Sequence, residues 1–205
     1  MDVEKSITEW ENRKTYTEFT AEILDSIPDD KLLQAVIDYI ADGIIKGRHN
    51  KTYRILKKQS IGMQYVWAIW YLEAEVNNGG FNQYFYNSAG EFAEEALNGC
   101  KAIGAPKMAE IIEGAMTTLG QEFELQKKTR EAGTLEAFME SYGESQLGKW
   151  DDEFYKYPEN LESLMVQYIR SNYQHFITTT GDQPKDPIQI LLRYVLSHRR
   201  RHKLR

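Results

Sequence analysis

The chain has 205 residues, 41% hydrophobic and 12% aromatic, enough bulky apolar material for a buried core and too much for a disordered polymer. Its single cysteine, Cys100, excludes an intramolecular disulfide and any multi-cysteine zinc site, and fits a reducing, cytoplasmic compartment. A formal net charge of −6 argues against a nucleic-acid-binding body and for attraction to cationic partners.

Taken in order, the chain reads as helix nearly throughout. Ser6-x-x-Glu9 is a capping box for a first helix with Trp10, Tyr16, Phe19 and Ile23 as apolar contacts. Pro28 followed by Asp29 and Asp30 opens a second, with Leu33, Val36, Ile37, Ile40 and Ile44 on one face and Gly43 and Gly47 near its end. A basic loop, 46–58, follows. From Gln59 to Leu72 there is no charge, a run too short to span a bilayer, and Met63, Val66, Trp67, Trp70, Tyr71 and Ala74 form a helical stripe. Asn77-Asn78-Gly79-Gly80 is the expected stop, because glycine and asparagine accept the left-handed backbone of a helix end. Ser88-x-x-Glu91 is a second capping box, leading to Phe92, Ala96, Leu97, Cys100 and Ile103 and a stop at Gly104.

Pro106 restarts the chain, and Met108, Ile111, Ile112, Ala115 and Leu119 run to Gly120. Thr134 caps a segment bearing Leu135, Phe138, Met139 and Tyr142. Pro158 begins another with Leu161, Leu164, Met165, Tyr168, Ile169 and Tyr173 inward. Asp186-Pro187 opens a terminal helix with Ile188, Leu191, Leu192, Val195 and Leu196. Phe176–Gly181 is the best strand candidate and reads as a loop; no two-residue alternation or hairpin dipeptide appears elsewhere. The expectation is an all-α fold, a single compact domain of seven to nine helices with peripheral N- and C-terminal helices. Within it, residues 1–58 form a helical layer and basic loop, 59–176 the main body, and 177–205 a loop, terminal helix and basic tail.

Charge is segregated along this framework. Residues 1–45 carry 4 basic and 11 acidic groups, and residues 73–162 carry 7 and 18. Residues 46–58 and 193–205 each carry six basic groups and no acid. The acidic candidates for a protein partner are Glu91, Glu94, Glu95, Glu110, Glu113, Glu122 and Glu124, expected on the outer faces of consecutive helices. The tail 193–205 is the one segment suited to grip phosphates; it suits docking on the chain's own acidic helices equally well.

Between the uncharged helix and the second capping box lies a polar-aromatic knot, Glu75 to Gly90. One reading places Glu75, Asn77, Asn78, Gln83, Tyr84 and Asn87 around a pocket for a peptide or small molecule, since amides donate and accept together. The other makes the same residues a helix cap and buried polar network with Phe81, Tyr84 and Phe85 as core.

Other chemistry is sparse. His49, His175, His198 and His202 match no zinc-ligand spacing, and Cys100 lies on an apolar stripe, which favours an inert thiol. Asp151-Asp152-Glu153 suits an exposed helix start as well as a divalent ion. Phosphate-loop, dinucleotide and hydrolase-elbow motifs are absent from the sequence. The reading is a non-enzymatic protein with no metal and no cofactor; a metal-dependent enzyme using Glu75 or Asp151/Asp152 is the weakest alternative.

The string Glu75-Val-Asn77-Asn78-Gly79-Gly80-Phe81-x-Gln83-Tyr84-Phe85-x-Asn87-Ser88-x-Gly90 resembles the signature of a bacterial helical family that includes a DNA-mimic protein. Trp67-Ala-Ile-Trp70-Tyr-Leu and the stretch Leu147–Tyr157 extend the likeness, which covers roughly residues 30–176. The resemblance implies an all-helical fold. For the mimic member it implies a dimer whose carboxylates imitate phosphate rows and occupy the DNA site of a regulator. It therefore implies a basic, DNA-binding protein as partner; that no membrane is involved is expected from the shortness of the uncharged run.

Overall fold

The computed structural model describes residues 12–178. The capping box at Ser6, the terminal helix from Asp186 and the tail 193–205 lie outside the described residues. Ten α-helices run through the rest: α1 (Ala21–Ser26), α2 (Asp29–Asp38), α3 (Thr52–Leu56), α4 (Ile61–Tyr86), α5 (Ala93–Ile103), α6 (Pro106–Gln121), α7 (Phe123–Ala132), α8 (Leu135–Glu144), α9 (Gly148–Phe154) and α10 (Leu161–Ser171). No strand occurs among the described residues, so the expected all-α class holds.

Local chemistry accounts for most boundaries. The Thr20 hydroxyl accepts from the Ile23 amide, Thr134 from Ala137 and Asn160 from Ser163, each meeting one orphan donor of a first turn. Pro106 occupies the first turn of α6, where no amide hydrogen is needed. Glu159 supplies what that helix start lacks, accepting from the Lys107 and Met108 amides at 2.9 Å each. Gly104 ends α5 in the left-handed region at φ 84°.

Four expectations change. The apolar stripe of α2 continues past Asp38 as a π-helical stretch, Tyr39–Ile45, ended by left-handed Lys46. The basic segment 46–58 is a 3₁₀ turn, His49–Lys51, followed by α3, because Leu56 is buried in the core and pulls the segment in. Two of its cations are spent internally: the Arg48 guanidinium caps the Ile44 and Ile45 carbonyls, and Lys57 pairs with Glu95. Ser88 caps nothing. Ser88–Phe92 is a 3₁₀ turn with Gly90 pressed on the Phe85 backbone, and α5 starts only at Ala93. Lastly, the helix reaching Gly79 restarts after the break and continues to Tyr86.

One apolar core runs from Phe19 to Phe176. α4 is its centre, burying Met63, Val66, Trp67, Ile69, Leu72 and Val76, and it packs against α5, which packs against α6. α9 braces α4 and α6; its Trp150 indole lies over Gly114, where a methyl group would collide with the ring, and donates to the Thr118 hydroxyl at 2.9 Å. α10 closes the other side against α2 and α5. α7 and α8 pack on each other and join the body largely through polar bonds to the second half of α4.

Candidate functional site

The asparagine-glycine knot lies at the break in α4. Gly79 has φ −163° and ψ 31°, and Gly80 has φ 68°, so two residues leave the helix and strand backbone groups on both sides. Three of these groups take a partner from distant parts of the chain. The Tyr155 hydroxyl donates to the Val76 carbonyl at 2.8 Å, and the Tyr142 hydroxyl to the Gly79 carbonyl at 2.7 Å. The Asp151 carboxylate accepts from the Phe81 amide at 2.7 Å. Asp151 lies so close to Gly80 that a β-carbon there would overlap the carboxylate. Burial pushes the Asp151 acid up while the Phe81 hydrogen bond opposes it.

Beyond the break, Asn82 is buried and donates to the Ser141 hydroxyl at 2.9 Å while accepting from the Gln126 amide at 3.3 Å. Arg130 donates to the Phe85 carbonyl at 2.5 Å. The second half of α4 is thus held by α7, α8 and α9 through hydrogen bonds, with Tyr86 against Phe138 at 4.6 Å between ring centres.

The residues expected around one pocket divide three ways. Glu75 accepts from Gln83 at 2.9 Å and Asn87 at 2.8 Å, so these three form a local cluster. Asn77 turns to the Tyr157 hydroxyl at 2.6 Å, and Asn78 is exposed. Neither asparagine caps the broken carbonyls; tyrosines do. Tyr84 is fully buried, its hydroxyl has no partner among the described residues, and burial raises its pKa well above the usual phenol range. A cavity of about 840 Å³ lies elsewhere, beside Arg13, Tyr16, Gln34 and Asp38, and includes none of the knot residues.

The acidic candidates also divide. Glu91, Glu94, Glu110 and Glu124 are exposed, with no ion pair within 4 Å among the described residues. Glu113 is exposed and 3.7 Å from Lys101. Glu122 is partly buried and tied to the Ser145 hydroxyl and Gln146 amide, at 2.6 Å each. Glu95 does not belong to an outer face: it is 5% exposed and its carboxylate meets Lys57 at 2.6 Å. It shares a helix row with buried Gly99, four residues on, which explains the inward turn.

The cleaner acidic surface lies on α8. Residues 131–148 contain Glu131, Glu136, Glu140 and Glu144 and no lysine or arginine, and all four carboxylates are exposed. That run was available in the sequence as charge patterning but is hidden in the wider tally, which also takes in Lys127, Lys128 and Arg130.

The profile of the DMP19-like protein family matches residues 57–172, more than half of the chain and all of the helical assembly around the α4 break. The chain belongs to the DMP19-like protein family. No curated protein matches it. Residues 57–172 of this DMP19-like chain include α4 through α10, so the broken helix and all three of its bracing helices lie inside the family match. No helix among the described residues is long and apolar enough to cross a membrane, and none of their His, Cys, Asp and Glu side chains group in threes as metal ligands. Cys100 is fully buried, and burial raises its thiol far above the ordinary range. His175 accepts from the Gly62 amide at 3.2 Å, and burial lowers its pKa.

Proposed function

We propose that this chain is an acidic interaction protein of DNA-mimic type, binding a basic, DNA-binding regulatory protein through exposed carboxylates on α5 and the 3₁₀ turn before it, on α6 and on α8. Membership in the DMP19-like family supports the class of function. The observation that carries the surface is the exposed, unpaired state of Glu91, Glu94 and Glu110 together with the base-free acidic run of α8. A protein shaped to receive duplex phosphates presents rows of lysine and arginine, and clustered carboxylates attract such rows over a Debye length of about 8 Å at physiological salt. The glycine-asparagine signature has a different role in this reading. Apart from Asn78 and the Tyr84 hydroxyl, most of its polar groups are engaged with one another and with groups of α7, α8 and α9 and the turn after α9, so it fixes the helices that display the acids.

The test is capture of nucleic-acid-binding proteins from a bacterial lysate by the full chain, beside a Glu91→Lys/Glu94→Lys variant and a Glu136→Lys/Glu140→Lys variant. Both reversals lie at exposed positions, and circular dichroism of each variant checks that its fold is kept. Loss of capture in at least one is expected; unchanged capture in both removes the proposal.

A further inference from the structure

α8 carries an apolar stripe whose Leu135 and Met139 are left largely exposed by the described residues, with Tyr142 partly covered by Phe138 and by its bond to Gly79. Leu135, Met139 and Tyr142 are 74%, 61% and 38% exposed and fall at i, i+4 and i+7, one line along the helix. Phe138 and Ser141 face inward, toward Tyr86 and Asn82. Glu136, Glu140 and Glu144 follow the stripe on its solvent side, and α8 contains no cation. An apolar line edged by carboxylates suits an amphipathic segment whose apolar positions recur at helical spacing beside arginines.

The chain contains one such segment. Ile188, Leu191, Leu192, Val195 and Leu196 recur at i, i+3, i+4, i+7 and i+8, accompanied by Arg193 and followed by Arg199, Arg200, Arg201, Lys203 and Arg205 with no acid after Asp186. The reach is sufficient. Thr178 is tied to Phe19, and its near neighbour His175 lies at Gly62, close to the start of α4, whereas α8 meets α4 at Gly79 through Tyr142. At 1.5 Å per residue those two points on α4 are about 26 Å apart, and the ten residues from Thr178 to Ile188 span up to ~34 Å when extended.

We propose that residues 186–205 dock in cis on α8, with Ile188, Leu191 and Val195 against Leu135, Met139 and Tyr142 in that order, and with the arginines that begin at Arg199 just past Tyr142, beside Glu144. The segment then occupies part of the surface assigned above to a basic partner and competes with it. Only that competition rests on the proposed function; the docking stands without a partner.

A nitroxide attached to Ser197→Cys in the full chain tests the docking directly, with Cys100 protected by its burial. Amide signals of ¹⁵N-labelled chain within 135–144 lose intensity at low salt and recover in a Leu135→Ser/Met139→Ser variant and at about 0.5 M salt, where the Debye length falls to ~4 Å. Attenuation elsewhere on the molecule, or none, overturns the proposal. So does attenuation that arises only when spin-labelled chain is mixed with separate ¹⁵N-labelled chain, which would place the segment on a second copy. Each readout uses the isolated protein, so failure here is separable from failure to capture a partner.

Discussion

Gly80 is the residue on which the break in α4 turns. Its positive φ is unfavourable for any residue with a β-carbon, and the Asp151 carboxylate occupies the space that carbon would need. Gly80→Ala is expected to destabilise the fold by about 2 kcal/mol or more, read as a shift of the denaturation midpoint. Asp151→Ala leaves the buried Phe81 amide without its acceptor and costs roughly 1–3 kcal/mol, whereas Asp151→Asn keeps an oxygen there and costs less. Equal losses for the two Asp151 variants would show that charge, and not the hydrogen bond, is what the site requires. Glu73 provides a pH test. Burial, aided by Glu162, raises its acid to about 7, so the folded state favours the protonated form. Its contribution is full below the ordinary carboxylate range and is lost as pH rises toward 7, by roughly 1–3 kcal/mol. Glu73→Gln should abolish that component, and an unchanged difference between pH 5 and pH 8 in the variant would contradict the assignment of the titration to Glu73.

At the level of elements, helices α7 and α8 are joined to the core by a few polar bonds and one aromatic pair, so they should open before α4, α5 and α6. Hydrogen exchange is expected to show amides of 123–144 exchanging well ahead of those in 63–76; equal protection would mean that the two helices unfold only with the whole. What the sequence revealed of these elements follows the range of the cause. Gly104, Pro106 and Thr134 act within one turn, and their roles were legible. The break at Gly79-Gly80 was legible too. Its restart at Phe81 was not, because the groups that make it tolerable, Tyr142, Asp151 and Tyr155, lie some 60 to 80 residues further along the chain. Ser88 failed as a cap for a related reason: the close approach of Gly90 to Phe85 selects a 3₁₀ turn over the helical start that Ser88 and Glu91 favour locally. Glu95 was read as a surface acid because its partner, Lys57, lies 38 residues away.

Across the whole molecule, a net charge of −6 conceals a division of labour. Some charges are structural: Glu95 with Lys57, Glu122 at the α8–α9 connection, Glu159 at the start of α6 and Arg170 on the Leu24 and Ile27 carbonyls. Others face solvent unpaired, on α5, α6 and above all α8, and these are the ones available to a partner. The fold was readable from apolar periodicity, but this sorting of acids was not, since sequence counts every carboxylate alike. The most direct test of the account is the salt dependence of affinity between the chain and a DNA-binding protein captured with it, measured with and without competing duplex DNA. The account predicts that affinity falls steeply with rising salt and that duplex DNA displaces the chain from the captured protein. A salt-independent affinity, or a complex to which duplex DNA binds without displacing the chain, would contradict it.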